Sequence, residues 1–229
     1  MNGMLTISAV VPVLQEAARV GALVGRLRGE VDEVVVVDGG STDDTVDQAR
    51  AAGARVLQGP RGRGRQMNQG AAAATGALLW FVHADAGVPA GAGAALRRAA
   101  AGADWGCFRV VVGRGGVVMA VTAGWMNARA GATGSATGDM GIWMGRDLFS
   151  RLGGFPAVEV CEDLGLTDRA RAVAGWSVVS APALGLSARR WEGEGMAKTV
   201  LRMWAVRAGY RLGVPVGVLA RGWRVGVRG

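Results

Sequence analysis

The chain has 229 residues, of which half are hydrophobic and 19% are charged. A chain of this length and composition can bury a large core, which excludes intrinsic disorder and favours one domain over residues 1–229. No apolar run reaches the ~20 residues of a membrane-spanning helix, and no secretory signal opens the sequence. Two isolated cysteines do not indicate a disulfide framework or a metal knuckle. We expect a soluble, cytoplasmic protein.

The formal net charge is +8, and Lys198 is the only lysine among 26 basic residues. The arginines cluster at residues 61–65, at Arg189 and Arg190, and along residues 202–228. Such clusters suit a phosphate-bearing ligand or an anionic membrane surface, although a compositional bias explains the excess equally well. Nucleic acid binding is not indicated, because the chain has no basic strand with interleaved aromatic residues and no recognisable reading helix.

In chain order, the first part alternates apolar strands with amphipathic helices. The predicted strands are residues 6–13, 33–37, 54–57 and 77–82. Apolar residues recur at the helical spacing of positions 20, 23, 24 and 27, and Ser41 and Thr42 are expected to cap a second helix. An alanine-rich helix follows the loop that begins at residue 61. This β-α-β-α-β order predicts a parallel sheet with right-handed crossovers.

The later part is less regular. We predict strands over residues 105–112, 138–145 and 176–187, and helices over 117–130, 162–174 and 198–212. The fold class is therefore a single-domain α/β protein with a Rossmann-like, mixed and mainly parallel sheet flanked by helices. Residues 197–229 form a basic C-terminal helical segment that either packs on the domain or lies on an anionic membrane, and packing is the preferred interpretation.

Polar residues follow the predicted strands at the edge where ligands bind in such sheets. Glu16 follows the first strand, and Asp38 ends the second beside Gly39 and Gly40, which let a ligand approach the backbone. An aspartate here can accept hydrogen bonds from a base or ribose. Alternatively, Asp38 and Ser41 cap the next helix.

Three later motifs are candidates for phosphate and metal chemistry. Arginines next to glycines at residues 61–65 can hold a diphosphate, or form a solvated basic loop. His83 and Asp85 follow the fourth strand, where Asp85 can ligate Mg²⁺. His83 either ligates Mn²⁺ or bonds to a neighbouring carbonyl, which is the preferred interpretation.

Two further segments carry acidic and basic pairs. Glu162 and Asp163 begin a predicted helix, where paired carboxylates either serve a reaction or complement the helix dipole. Arg189, Arg190 and Trp191 either bind a departing phosphate and an acceptor, or form a surface arginine pair beside a core tryptophan.

Taken in this order over roughly residues 5 to 195, the motifs resemble the family-two glycosyltransferases, which have the A-type glycosyltransferase fold. Within that family, the His83-Ala84-Asp85 segment, together with residues 65–68 and 187–191, most resembles a small bacterial branch associated with radical-enzyme or selenium-related gene clusters. The departures are Gln15 for asparagine, His83 for the first acid of an Asp-x-Asp motif, Gly165 for an acid and Ser187 for glutamine.

The resemblance implies residue roles. Asp163 is the catalytic base, and Asp85 is the ligand of Mg²⁺ or Mn²⁺. The donor nucleotide contacts are Pro12, Val13, Glu16, Asp38, Gly39, Ser41, Arg65, Ala84, Asp85 and Arg190. The acceptor side is formed by Gly138, Asp139, Glu162 and Trp191.

The function expected from this resemblance is inverting transfer of a sugar from a nucleoside-diphosphate sugar, with UDP as the expected nucleotide, to a small-molecule, glycan or lipid acceptor. The expected location is cytoplasmic, with peripheral contact at the inner face of the membrane as a further possibility. Two alternatives stay open. One is a non-catalytic nucleotide-sugar-binding protein, and the other is a sugar nucleotidyltransferase, although the latter needs a glycine-rich basic loop after the first strand.

Overall fold

The computed structural model describes residues 4–113, 116–187 and 196–224, without the side chains of residues 196, 197 and 224. The strands are β1 (Ile7–Val13), β2 (Glu33–Asp38), β3 (Arg55–Gln58), β4 (Leu78–Phe81), β5 (Trp105–Val112), β6 (Trp143–Gly145) and β7 (Trp176–Leu186). The helices are α1 (Ala17–Arg28), α2 (Thr45–Ala51), α3 (Arg63–Ala73), α4 (Ala92–Ala100), α5 (Gly116–Thr133), α6 (Arg146–Arg151), α7 (Glu162–Arg171), α8 (Met196–Arg211) and α9 (Val216–Arg224).

These strands form one seven-stranded sheet in the order β3-β2-β1-β4-β6-β5-β7. All neighbouring pairs are parallel except those that involve β6, which is antiparallel to both β4 and β5. Strand β1 is buried along its whole length, as expected for a strand with helices packed on both faces. The predicted mixed, mainly parallel α/β sheet is confirmed.

The parallel register brings the ends of the first strands to one edge. Val13 lies opposite Asp38, and Pro12 lies opposite Val37. Strand β4 ends beside β1, with Phe81 opposite Val10. The polar residues after β1, β2 and β4 therefore share the edge that the sequence predicted for ligand binding.

Two local predictions are wrong. Ser41 and Thr42 do not cap α2, which begins only at Thr45. The backbone amide of Thr45 donates instead to the carboxylate of Asp43, which is closer to the helix in the sequence. Residues 138–145 are not one strand. A short 3₁₀ turn spans Gly138–Met140, and Gly141 has a φ of +58°, a left-handed conformation that interrupts extended backbone before β6 begins.

The C-terminal helices pack against the domain. Leu219 and Ala220 of α9 form a buried cluster with Val160, Cys161 and Leu164, at the start of α7. This packing agrees with the preferred interpretation of the C-terminal segment and places α8 and α9 next to the carboxylates that begin α7. No helix within the described ranges is long and apolar enough to cross a membrane.

Candidate active site

Asp38 organises the loop that follows β2. Its carboxylate is almost completely buried and accepts hydrogen bonds from the backbone amides of Gly40 and Ser41 and from the Ser41 hydroxyl. Gly40 has a φ of +97°, which a glycine adopts without strain. Asp38 therefore shapes a tight loop at the sheet edge, and the backbone of Gly39 and Ser41 forms its rim.

A second set of hydrogen bonds ties this loop to the end of β1. The Gln15 amide oxygen accepts from the Thr42 backbone at 2.7 Å, and the Gln15 backbone donates to the Ser41 hydroxyl at 2.8 Å. Gln66 of α3 donates from its side-chain amide to the carbonyls of Val13 and Val37. The ends of β1 and β2 and the start of α3 are thus held as one shelf, beside which Glu16 is half-buried.

The start of α3 faces the start of α7. Arg63 Nε lies 2.5 Å from Glu162 Oε1, and the Glu162 side chain is buried. Burial by itself lowers the pKa of the Arg63 guanidinium, but the carboxylates of Glu162, Asp163 and Asp139 raise it, and the net shift is upward. Arg63 is therefore a permanent cation that neutralises a buried acid.

Asp163 lies beside this ion pair and has different partners. Its carboxylate accepts hydrogen bonds from the backbone amides of Gly138 at 2.9 Å and Leu164 at 2.7 Å. Burial and the charge of Glu162 raise the pKa of Asp163, while Arg63 and the two amides oppose that shift; the net pKa is above its ordinary value. A fixed carboxylate with a raised pKa is a stronger base than a free aspartate.

His83 and Asp139 form a pair at the end of β4. His83 Nδ1 lies 2.9 Å from Asp139 Oδ1. The sequence predicted a bond from His83 to a neighbouring carbonyl, but its partner is this carboxylate. Within the described part of the chain, His83 Nε2 is buried and has no hydrogen-bond partner. Asp85 is half-buried and lines a small cavity with both residues.

The C-terminal helices complete a cleft around Asp163. Met203, Val206 and Arg207 of α8 and Trp223 of α9 lie across from the carboxylate. The remaining lining residues come from the domain: Arg63, His83, Thr137, Asp139, Glu159, Val160, Cys161, Asp163 and Leu164. Glu162 does not line this cleft, so the two adjacent acids differ in their access to a ligand.

The structure separates the expected residues into groups. Asp163, Asp139 and His83 share one cleft, and Asp85 lies next to it. Pro12, Val13, Asp38, Gly39 and Ser41 lie along the adjoining strand ends, and Ala84 lies buried between His83 and Asp85. The Arg65 side chain is exposed on α3. Arg190 and Trp191 lie outside the described residues.

Sequence reasoning missed the site roles of Gln66 and Arg207, and it identified Arg63 only as one arginine of a candidate phosphate-binding loop. Arg63 and Gln66 are three positions apart on α3 and therefore share a face, whereas Arg65 lies on another. That spacing was a usable signal, because it places Arg63 and Gln66 on the same face of a predicted helix. No local pattern points to Arg207, which reaches the cleft only because α8 packs across it.

Comparison with known proteins gives a family match. The model of glycosyl transferase family 2 matches residues 8–128. The glucosyl-3-phosphoglycerate synthase of Mycolicibacterium smegmatis is 38% identical over 93 residues, covering 35% of this chain and 31% of that protein. An uncharacterized glycosyltransferase of Rickettsia felis is 46% identical over 54 residues, covering 24% of this chain and 19% of that protein. The matches thus span less than a third of these curated relatives.

Solved structures share the fold. The glucosyl-3-phosphoglycerate synthase of Mycobacterium tuberculosis, in complex with Mg²⁺ and UDP, matches with a TM-score of 0.60 and 23% identity, covering 92% of this chain and 80% of that one. The structure of S. aureus TarS residues 1–349, in complex with UDP-GlcNAc, matches with a TM-score of 0.61 and 24% identity, covering 84% of this chain and 60% of that one. At such identities the likeness establishes the architecture alone.

Proposed function

Because this chain belongs to glycosyl transferase family 2, we propose that it transfers a sugar from a UDP-sugar to an acceptor hydroxyl with inversion at C1. The observation that carries this proposal is the carboxylate of Asp163, which two backbone amides hold at the wall of a cleft beside the strand ends. Asp163 is the general base of the proposed reaction.

The donor nucleoside lies on the shelf formed by the ends of β1 and β2. Pro12 and Val13 form its buried wall, and Glu16 supplies a carboxylate beside it. Since the Asp38 carboxylate already accepts three hydrogen bonds from its own loop, its main contribution is the shape of that loop. Structures of UDP complexes with the same architecture support uridine as the base.

A divalent cation fits the end of β4. Asp85 is a half-buried carboxylate next to His83, whose Nε2 atom is buried without a partner among the described residues. The described residues contain no cluster of three or more metal-ligating side chains. Mg²⁺ in nucleotide sites is commonly held by one or two carboxylates, with phosphate oxygens and water completing its shell. Asp85 would hold the ion, which would offset negative charge on the diphosphate.

Transfer requires one proton to move. The acceptor oxygen bonds to C1 of the sugar while the bond from C1 to the diphosphate breaks, and the hydroxyl proton passes to the Asp163 carboxylate. General-base assistance of this kind contributes about 10² to 10⁴-fold. The Arg63 guanidinium pairs with Glu162, which does not line the cleft, so Asp163 is the acid of the pair that is available as base. Arg190 is proposed to stabilise the departing UDP.

The proposal is tested by measuring UDP release. Purified full-length protein is incubated with a panel of UDP-sugars and candidate acceptors, with Mg²⁺, with Mn²⁺ or with a chelator. We expect UDP release from one donor that stops when the chelator is added. UDP should also stabilise the protein when metal is present, by about 2.7 kcal/mol at 100 times its Kd.

Asp85→Ala and Asp47→Ala form a matched pair for this test. Asp85→Ala should lose the metal-dependent part of UDP binding, whereas Asp47→Ala changes an exposed acid on α2 and should behave as wild type. Metal-dependent UDP binding that survives Asp85→Ala would refute the metal assignment. Donor binding without UDP release from any donor and acceptor would refute catalysis.

A further inference from the structure

A second cavity lies behind the cleft, between α5, α8 and the end of α7. Its volume is about 430 Å³. Four arginines and two tryptophans line it: Arg129, Arg171, Arg207, Arg211, Trp125 and Trp204. Within the described ranges, the acid that forms ion pairs with these arginines is Asp168, which pairs with Arg171 and Arg211 at 3.1 Å. The cavity wall therefore carries excess positive charge.

Arg129 has unused hydrogen-bonding capacity in this wall. Its guanidinium stacks on the Trp125 ring at 4.7 Å, and its Nε donates to the Ser135 carbonyl. Its Nη2 atom is buried and has no acceptor among the described residues. Burial and the neighbouring charge of Arg207 lower the pKa of Arg129 to about 9. A desolvated cation with a free donor and like-charged neighbours is stabilised by an anion.

We propose that this cavity binds a phosphate group of the acceptor. Guanidinium groups bind phosphate oxygens through paired, charge-assisted hydrogen bonds. Arg207 lines both this cavity and the cleft of Asp163, so the two pockets adjoin through one arginine side chain. The inference rests on the proposed transfer reaction and adds the chemical class of its acceptor.

The size and walls of the cavity fit a phosphate ester. The cavity volume of about 430 Å³ is many times the ~30 Å³ that one water molecule occupies in the liquid. The cavity therefore has room for a phosphate and for the group attached to it. The rings of Trp125 and Trp204 stack with their centroids 5.1 Å apart and give one wall an apolar surface. The arginines bind the anion, and the tryptophans pack against carbon atoms of the ester.

Phosphate binding to the full-length protein is measured by titration calorimetry with inorganic phosphate. Arg129→Gln and Arg171→Gln should each weaken binding by about tenfold or more, because each removes a charged donor. Arg50→Gln removes the same charge from an exposed residue of α2 and should change nothing. No phosphate binding by the wild type, or equal weakening in all three variants, overturns the proposal.

UDP binding is measured on the same samples and separates this inference from the proposed function. It should be unchanged in all three variants, which also shows that they fold. Arg171 is exposed, so Arg171→Gln keeps the test valid if Arg129→Gln does not fold. A protein that binds phosphate in this cavity but never releases UDP from a UDP-sugar refutes the transfer reaction and leaves the phosphate site standing.

Phosphate reaches such a site from a small ester or from a lipid headgroup, and two probes distinguish these sources. Glycerol 3-phosphate tests a soluble ester by calorimetry. Vesicles with phosphatidic acid, compared with pure phosphatidylcholine vesicles, test a headgroup by sedimentation. Binding of either probe that is lost in Arg129→Gln supports the site and identifies the source. Binding of both probes that is unaffected by Arg129→Gln overturns it.

Discussion

The two adjacent acids at the start of α7 show how strongly local surroundings divide the roles of similar residues. Glu162 is buried against the Arg63 guanidinium, whereas Asp163 accepts two backbone hydrogen bonds and faces the cleft. Neighbouring side chains on a helix point about 100° apart, so one of the two can face a ligand. The proposed base is therefore distinguished by geometry as well as by its place in the motif.

Exchanging these acids for amides should separate their roles. Asp163→Asn keeps the shape of the side chain but removes the basic oxygen, so turnover should fall by about 10²-fold or more while UDP-sugar binding stays within a few-fold. Glu162→Gln should reduce turnover less and loosen the contact with Arg63. Steady-state rates and UDP-sugar affinities measure both effects. Near-normal turnover in Asp163→Asn would refute the assigned base and leave nucleotide binding untouched.

The raised pKa of Asp163 also predicts a pH-dependent stability. Because burial and the charge of Glu162 raise this pKa above its unfolded value of about 3.9, the folded state binds the proton more tightly. This contribution to stability is fully present below the pKa that Asp163 has in the unfolded chain. It is lost as the pH rises through the pKa that Asp163 has in the folded protein. Asp163→Asn should thus melt at a higher temperature than wild type at pH 8, and this difference should shrink on acidification.

Thermal melts between pH 4 and pH 8 measure that difference. Asp47→Asn, at an exposed position of α2, serves as control and should follow the wild type throughout. If Asp163→Asn raises the melting temperature equally at every pH, ionisation of the Asp163 carboxyl does not destabilise the folded protein.

At the scale of elements, the shelf depends on how closely α3 packs on the sheet. Gly70 of α3 is buried, and a Cβ atom there would clash with Val10 Cγ1 and lie 3.0 Å from Val37 Cγ2. Gly70→Ala should therefore destabilise the protein by about 1–3 kcal/mol. Chemical denaturation measures this free energy of unfolding.

Gly25→Ala is the matched control, since it adds the same methyl group within a helix. Gly25 lies in α1 with nothing near its Cβ position, so alanine there should stabilise the protein by about 0.5–1 kcal/mol. Equal effects of the two substitutions would show that the contact of α3 with β1 is not tight.

The elements were predictable where a periodic pattern dominates. Strands β1, β2 and β5 are short apolar or β-branched runs, and α1 buries all four of its predicted apolar positions. Helix α4 was missed because it is short and Leu96 is its only large apolar residue. Helix α9 was predicted only as part of the basic helical segment 197–229, because its buried residues become apolar contacts only against the start of α7.

The candidate site was predictable where a motif lies at the end of a strand or the start of a helix. Asp38 ends β2, Asp85 follows β4, and Asp163 lies at the start of α7. The ion pair of Arg63 with Glu162 joins residues 99 positions apart, and Arg207 enters the cleft through the packing of α8. Such long-range partners depend on tertiary structure, which no local pattern encodes.

For the whole molecule, the outer surface of α5 and α8 exposes large apolar side chains to solvent in the described domain. The exposed residues are Val117, Val118, Val121, Trp125, Leu201 and Trp204. The C-terminal segment that includes α8 also carries basic residues, among them Lys198, Arg202 and Arg211. Apolar and aromatic side chains beside cationic ones are typical of helices that lie on an anionic membrane surface.

This surface leads to a prediction about membrane contact. Each basic residue near an anionic surface contributes about 1 kcal/mol, an attraction that salt screens. The full-length protein should therefore sediment with anionic vesicles at low salt, less so at physiological salt, and not with neutral vesicles. Val121→Asp combined with Leu201→Asp should abolish sedimentation, because both changes place a charge in the apolar surface. Val173→Asp, at an equally exposed valine outside α5 and α8, should bind as wild type. Absence of wild-type sedimentation at both salt concentrations would refute membrane contact and leave these helices as a packed cover of the cleft.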